Sequence, residues 1–374
     1  MTRVLLLSAY AAASHRYWRQ RLADMLPLYR WRVEELPPRH FSWRVRGNPL
    51  HWHHEGIGRH AAQSDVLLAT SMVDLATLRG LQPELARLPT ALYFHENQFA
   101  YPLSSRGHGL LEAQMVSLYG ALAADRLWFN SAFNLESFLD GLGSLLKRLP
   151  DLVPEGVVAV LRAKSSVLPV PVLAPTWEAG MPDRWPRREH ACELRLIWLG
   201  RLEHDKGGEQ LLAALSGLER AGIRFRLAVV GQTFRELPGS FANIKNRFGY
   251  RLVHFGYAEA VSDYHALLRG ADLVLSTALH EFQGIAVMEA VMAGCRPLLP
   301  ARQAYPEIYG QEYLYASHPD DPEQEASAVV EAVKALLMAR DSQLTEAPSL
   351  DGYEPDQLGQ RYASAFTELR GLAG

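Results

Sequence analysis

Two glutamates in the second half of the chain, Glu281 and Glu289, have seven residues between them inside the stretch S-T-A-L-H-E-F-Q-G-I-A-V-M-E, Ser276 to Glu289. The short apolar run Ala271 to Leu275 precedes it, and apolar residues at helical spacing follow from Ile285 to Met292. The expected order is a strand, a loop and a helix start. Such a junction leaves backbone amides facing outward, which suits anions and hydroxyl-rich ligands. Gly284 lets the backbone come close to a ligand. Glu281 then falls at the mouth of the junction and Glu289 a little over two helical turns on, broadly on the same side. Each carboxylate can accept hydrogens from two hydroxyls of a polyol, as a sugar or a ribose offers. The plainer alternative is a first-turn acid favoured by the helix dipole and a solvated surface residue.

The segment Gly200 to Gly207, G-R-L-E-H-D-K-G, adds two cations. Arg201 and Lys206 leave the end of an expected strand around a turn, so both can reach one anionic group. A departing nucleoside diphosphate needs its charge neutralised, and losing one such donor costs on the order of 3 kcal/mol of barrier. The alternative is a pair of solvated cations beside Glu203 and Asp205.

Three further polar loops follow expected strands in the first half. They are Ser8 to His15, the run His95-Glu96-Asn97-Gln98, and Asn130-Ser131. In parallel α/β sheets ligands collect beyond the carboxyl ends of strands. His95 reads otherwise as a capping or core histidine, and Ser131 as a helix N-cap. Between Arg16 and Arg59 stand nine arginines against four acids, interleaved with Trp18, Trp31, Phe41, Trp43 and Trp52 and accompanied by five histidines through His60. Basic and aromatic side chains together suit a nucleic-acid backbone and unpaired bases. The competing reading places the aromatics in the core and the arginines in water.

These groups must be held by a fold, and the chain is long enough for two domains with full cores at 374 residues. With 48% hydrophobic and 21% charged residues it has ordinary globular composition. A net charge of -3 gives no overall pull toward nucleic acid. No run of about 18 apolar residues is present, so no membrane span is expected. The apolar N-terminus is too short for a secretory signal and reads as the first strand. Cys192 and Cys295 are too few for a disulfide framework and, beside apolar runs, read as small core residues in a reducing cytoplasm.

In order, strands are expected at Val4–Leu7, Val66–Ala69, Thr90–Phe94 and Arg126–Phe129, with a helix at Tyr17–Leu26. A proline-rich boundary with Pro169, Pro171, Pro175, Pro182 and Pro186 follows. The alternation then restarts with Leu194–Leu199, a helix at Glu209–Leu218, and strands at Arg226–Val230, Arg251–Phe255 and Ala271–Leu275. A last helix runs over Gln357–Leu372. Strands alternating with helices in both halves predict two parallel α/β domains. The expected divisions are 1–170, a linker at 171–192, 193–350, and a C-terminal helix at 351–374 that packs back toward the first domain.

The joint motifs resemble a known family. G-R-x-x-x-x-K-G followed about eighty residues later by E-x7-E resembles the donor half of the retaining GT-B glycosyltransferases of family 4. The further stretches A-V-M-A-G-C-R-P-L-L-P, Y-P-E-I-Y (Tyr305 to Tyr309), Y-F-H-E-N-Q-F-A-Y-P (Tyr93 to Pro102), F-N-S-A-F-N (Phe129 to Asn134) and W-R-V-R (Trp43 to Arg46) look like the tRNA-queuosine alpha-mannosyltransferase family. Gln283 departs from it, since an aromatic residue usually follows Phe282 there.

The resemblance implies two Rossmann-like, doubly wound parallel-sheet domains facing each other across a cleft, the first on the acceptor side and the second binding the nucleotide sugar. It implies transfer of mannose from GDP-mannose to queuosine in the anticodon of tRNA-Asp, with retention. Arg201, Lys206, Ser14 and His15 would hold the donor diphosphate. Glu281, Phe282, Gln283, Gly284 and Glu289 would hold sugar and ribose, with His95, Glu96 and Glu281 in catalytic roles. Glu96 stands either as base or as a residue orienting His95. Asn97, Gln98, Asn130, Ser131, Trp43, Arg44 and Arg46 would meet the acceptor. In the resembled class the leaving diphosphate takes the acceptor proton, so no protein nucleophile is expected. With no D-x-D motif, neither metal nor further cofactor is expected, and the protein is expected in the cytoplasm. The residues leave open GDP or UDP, a lipid or small-metabolite acceptor, and a nucleotide-sugar-binding or RNA-binding protein without turnover.

Overall fold

The computed structural model describes residues 1–100, 110–177, 183–190, 192–233, 236–339 and 346–372. Tyr101, Pro102 and Pro182, which figure in the motifs and the boundary above, lie outside them. The chain forms two compact units, one of residues 1–171 with 352–374 and one of residues 172–351.

The first unit runs β1 (Arg3–Ser8), α1 (Ala13–Met25), β2 (Arg30–Glu35), α2 (Phe41–His54), β3 (Val66–Thr70), α3 (Leu75–Leu81), β4 (Thr90–Phe94), α4 (Leu110–Ala123), β5 (Arg126–Phe129), α5 (Ala132–Leu146), α6 (Val157–Ala163) and β6 (Ser165–Val167). The six strands are parallel in the order β2-β1-β3-β4-β5-β6. The strands β3 and β4, V-L-L-A-T and T-A-L-Y-F, are buried along their whole length, which is why they read as unbroken apolar runs.

Two local features depart from the expectation. The first helix starts at Ala13, so Ser14 and His15 stand in its first turn and not in a loop. The alanines at 11–13 are helix formers with no Gly or Pro to delay the start. The basic and aromatic region divides between core and surface. Trp18 and Trp52 are core, while Phe41 and Trp43 are exposed on α2. Pro49 lies inside α2 and has no N–H to offer; Asn48 Nδ2 donates instead to the carbonyls of Val45 at 2.9 Å and Arg44 at 2.9 Å.

The second unit runs β7 (Leu194–Leu199), α7 (Gly208–Arg220), β8 (Phe225–Val230), α8 (Gly239–Arg247), β9 (Leu252–Gly256), α9 (Val261–Gly270), β10 (Leu273–Leu275), α10 (Ile285–Met292), β11 (Arg296–Pro300), α11 (Tyr305–Ile308), β12 (Leu314–Tyr315) and α12 (Pro322–Met338). Its parallel order is β12-β11-β10-β7-β8-β9. The strand β11 contains Pro297, yet β12 pairs with it only at Leu299 and Pro300, so no β12 ladder bond is forfeited at Pro297. Cys295 is buried and its thiol donates to Leu268 O at 3.0 Å, but Cys192 is exposed and not a core residue. It lies in the irregular segment just before β7, outside the apolar run.

The final helix α13 (Pro355–Arg370) belongs to the first unit. Tyr362 on it accepts a bond from Trp18 Nε1 at 3.0 Å, and its hydroxyl lies 3.2 Å from Leu168 O and 3.1 Å from Pro169 O. Trp18 stacks on Tyr93 at 4.2 Å and Phe366 sits edge-on to Trp128 at 5.1 Å, so α13 completes an aromatic layer over the sheet.

In each sheet the strand order reverses direction once, at β1/β3 and at β7/β10. Open parallel sheets bind ligands beyond the carboxyl ends of the strands at such a point.

Candidate active site

In the second unit the reversal puts the loop after β7, which carries Arg201 and Lys206, beside the loop after β10, which carries Glu281. The two loops are locked together through their backbones. The amides of Leu279 and His280 donate to Asp205 O at 2.9 and 3.0 Å, and Thr277 Oγ1 donates to Gly207 O at 2.9 Å. Gly207 has φ +70°, and a Cβ on it would stand 1.9 Å from Thr277 O, so no side chain fits.

Charges alternate across the paired loops. Arg201 pairs with Glu203 and, at 3.0 Å, with Asp205 Oδ2. Lys206 Nζ lies 3.8 Å from the same Asp205 oxygen and 2.9 Å from Glu281 Oε2. Arg201 therefore does sit beside Glu203 and Asp205, but as part of one connected cluster with Lys206 and Glu281. Burial disfavours the Glu281 carboxylate, yet the Lys206 charge and its hydrogen bond, with amide bonds from the following loop, outweigh that and hold it below the usual range. His280 is pushed down to about 4 by burial and then by the Lys206 charge, so it is neutral at pH 7.

The loop that follows bends back on this carboxylate. The amides of Phe282 and Gly284, expected to line the donor sugar, donate here to Glu281 Oε1 at 3.2 and 3.1 Å. Gly284 has φ +81° and caps the start of α10. Phe282 and Gln283 are buried, Phe282 edge-on to His280 at 4.8 Å and Gln283 Nε2 at 3.6 Å from Met288 Sδ. Glu289 is half-buried on α10 and accepts from Tyr264 Oη at 2.7 Å. Burial raises its carboxyl above the usual range, against the pull of that bond.

In the first unit His95 follows β4 directly. Its ring stacks on that of His15 at 4.0 Å and meets Trp18 edge-on at 4.7 Å. Burial lowers both histidines, His15 to about 4 and His95 well below its ordinary value, so both are neutral at pH 7. Among the described residues His95 Nε2, His15 Nδ1, Ser8 Oγ and Thr70 Oγ1 have no hydrogen-bond partner. All four belong to the carboxyl-end region of the adjacent strands β1, β3 and β4. Ser14 is exposed and Glu96 half-buried.

An asparagine network fixes the backbone at His95. Asn130 Nδ2 donates to His95 O at 2.9 Å, and Asn134 Nδ2 donates to Phe94 O at 2.9 Å and to Asn130 Oδ1 at 2.7 Å. Asn97 Nδ2 donates to Asn134 Oδ1 and Ser137 Oγ, both at 2.9 Å, and its Oδ1 accepts from the amides of Phe99 and Ala100. Asn97 and Asn130, expected to meet the acceptor, thus have their side-chain amides engaged within the loop. Ser131 caps α5, accepting from the Asn134 amide at 3.0 Å. Gln98 is buried and its carbonyl accepts from Gln114 Nε2 at 3.2 Å.

On α2, Trp43 is 59% exposed. Arg44 makes no ion pair among the described residues. Arg46, also expected to meet the acceptor, pairs with the buried Asp74 and with Glu112 at 3.1 Å. Among the described residues no group of three His, Cys, Asp or Glu could hold a metal ion, and no helix is long and apolar enough to cross a membrane.

Sequence reasoning passed over Asp205, Tyr264 and Asn134, which contact the expected site residues Arg201, Glu289 and Asn130. Asp205 and Asn134 stood inside the motifs already noted, and the four-residue spacing of Asn130 and Asn134 at a helix start was a usable signal. Tyr264 lies in an ordinary amphipathic helix and gave none.

Residues 184–343 match the model of glycosyl transferases group 1, and residues 3–172 match that of the tRNA-queuosine alpha-mannosyltransferase N-terminal region. Among solved structures, the sucrose-phosphate synthase of Thermosynechococcus elongatus superposes with a TM-score of 0.71 at 15% identity, covering 100% of both chains. An alpha,alpha-trehalose-phosphate synthase from Burkholderia vietnamiensis gives 0.67 at 13% identity, covering 100% of this chain and 98% of its own. The two parallel α/β units and these matches define a glycosyltransferase of the GT-B fold. A curated relative, the tRNA-queuosine alpha-mannosyltransferase of Drosophila melanogaster, is 33% identical over 323 residues, 83% of each chain. The chain belongs to the tRNA-queuosine alpha-mannosyltransferase family.

Proposed function

We propose that this glycosyltransferase moves a mannosyl group from GDP-mannose to queuosine in the anticodon of tRNA-Asp, with retention at the anomeric carbon. The observation that carries the reading is the convergence of Arg201, Lys206 and Glu281 at the strand-order reversal of the second unit, in a chain of this family. A diphosphate takes the place of the carboxylates now paired with Arg201 and Lys206, and its developing charge is met by fixed cations. Glu281, released from Lys206, accepts hydroxyls of the sugar, and Glu289 with Tyr264 receives the ribose.

The leaving diphosphate takes the acceptor proton, so the protein supplies position and charge and forms no covalent intermediate. Neither metal nor further cofactor takes part. His95, neutral and with an unused ring nitrogen, serves the reaction centre as a hydrogen-bonding group without charge. The first unit is the acceptor half, with Trp43 and Arg44 meeting RNA in the cytoplasm.

The test is to mix queuosine-containing tRNA with GDP-mannose and the protein and to weigh the digested nucleosides. A gain of one hexose on queuosine is expected, with none on tRNA carrying guanine there and none from UDP-glucose. Modification of a non-RNA acceptor alone overturns the acceptor, and turnover of the UDP sugar alone overturns the donor.

A further inference from the structure

The carboxylate of Glu281 can act only if its loop is held in place, and the residues that hold it lie after β11. Arg302 Nε donates to Ala278 O at 2.8 Å, and its Nη2 donates to Thr277 O at 3.1 Å. The same guanidinium forms a bidentate pair with Glu325 on α12, at 2.7 and 2.8 Å. Glu325 is fully buried and accepts further bonds from Tyr315 Oη at 3.1 Å and the His318 amide at 3.1 Å. An ion pair this enclosed and this completely bonded has one geometry, and it contributes direction more than stability.

Gln303 continues the device. Its Oε1 accepts from the Glu281 amide, and its Nε2 donates to Leu279 O and lies 3.3 Å from His280 Nδ1. It does this from φ +57°, a left-handed conformation that residues other than glycine rarely adopt. Four of the five residues from Thr277 to Glu281 thus have their backbones tied to two side chains of a neighbouring strand end, and the fifth, His280, meets Gln303 through its ring.

We propose that Arg302 and Gln303 are positioning residues for glycosyl transfer: they fix the Thr277–Glu281 backbone so that the Glu281 carboxylate is presented beside Lys206. The inference rests on the reading of Glu281 as a donor-sugar ligand. A misplacement of about 1 Å in such a group costs up to about a hundredfold in rate.

Removing Arg302 strands a buried carboxylate and can unfold the unit, so the decisive variant is Gln303→Gly. Glycine suits φ +57° and relieves the backbone while deleting both side-chain bonds. Three readouts are taken together: transfer from GDP-mannose to queuosine-tRNA, affinity for GDP alone, and hydrogen exchange of the amides at 279–282. Expected are an unchanged melting temperature, faster exchange at 279–282, a kcat at least about tenfold lower, and GDP affinity within about twofold. Unchanged exchange, or an unchanged kcat, overturns the inference. A GDP affinity that falls in step with kcat also overturns it, because the effect is then general support of the unit. Glu281→Gln run beside it separates the two ideas. If that variant is inactive while Gln303→Gly is normal, the positioning role fails and the reading of Glu281 stands; if Glu281→Gln is fully active, that reading itself fails.

Discussion

The strand ends of the two units meet the same problem, keeping polar groups ready for a ligand, by opposite means. The first unit keeps them neutral. His15 and His95 are stacked, desolvated and uncharged, and an asparagine network takes up the nearby carbonyls. The second unit keeps them charged and mutually compensated, with Glu203, Arg201, Asp205, Lys206 and Glu281 in alternation. A charged ligand can exchange with a paired carboxylate at little net cost in Coulomb energy, whereas a buried neutral ring selects for hydrogen bonds and shape. The two sets of loops therefore differ in kind, paired charge in the second unit and desolvated neutral rings in the first.

The contrast is most exposed at Lys206. Replacing it by alanine is expected to lower kcat/KM for transfer by about 10²- to 10³-fold, the usual loss when one preorganised charge donor is removed, and to weaken GDP binding. Steady-state kinetics and GDP titration check this. A near-normal rate with normal GDP affinity removes the diphosphate from that cluster.

A smaller effect belongs to the neutral pair. The folded state declines a proton at His15 that the unfolded chain accepts below about pH 6.5, so this stability is complete above pH 6.5 and is lost as pH falls toward 4. Between pH 7.5 and 5 the His15 contribution falls by about 2 kcal/mol. His15→Phe, which keeps a ring against His95, should show an acid loss smaller by about that amount in urea unfolding. Equal acid sensitivity in both proteins means that His15 is charged when folded.

The smallest effect separates two arginines on one helix. Arg44→Glu is expected to weaken tRNA binding and to reduce the salt slope by about 1. Arg46→Ala should leave RNA affinity nearly unchanged and cost about 1 kcal/mol of stability, because Asp74 loses its partner. Filter binding across a salt series, with thermal melts, reads both. The reverse pattern would make Arg46 the RNA contact.

Much of this architecture was legible in the sequence because buried parallel strands read as apolar runs. The strands β4, β5 and β7 match their expected bounds, and α10 starts where the spacing places it. Four strands, β2, β6, β11 and β12, were not read, and two of them, β2 and β11, show why. The first, R-W-R-V-E-E, lies at the sheet edge, where charges alternate with half-buried residues and look like a nucleic-acid patch. The second holds Pro297 and Pro300, which argue against a strand unless a neighbour happens to be short. Residue types at the site were legible where they carry charge at a strand end, as Arg201, Lys206 and Glu281 do. Which amide of Asn97 or Asn130 is already engaged, and that Arg46 is neutralised by Asp74, depend on contacts between distant segments that spacing does not encode.

The placement of α13 has a consequence for how the polypeptide matures on the ribosome. The unit begun first cannot close until its last residues emerge, since Tyr362 and Phe366 cover Trp18, Tyr93 and Trp128. The unit encoded by the middle of the message is contiguous and can finish earlier. A nascent or truncated chain ending near residue 350 would therefore hold a completed second unit and leave the aromatic layer of the first unit unsealed.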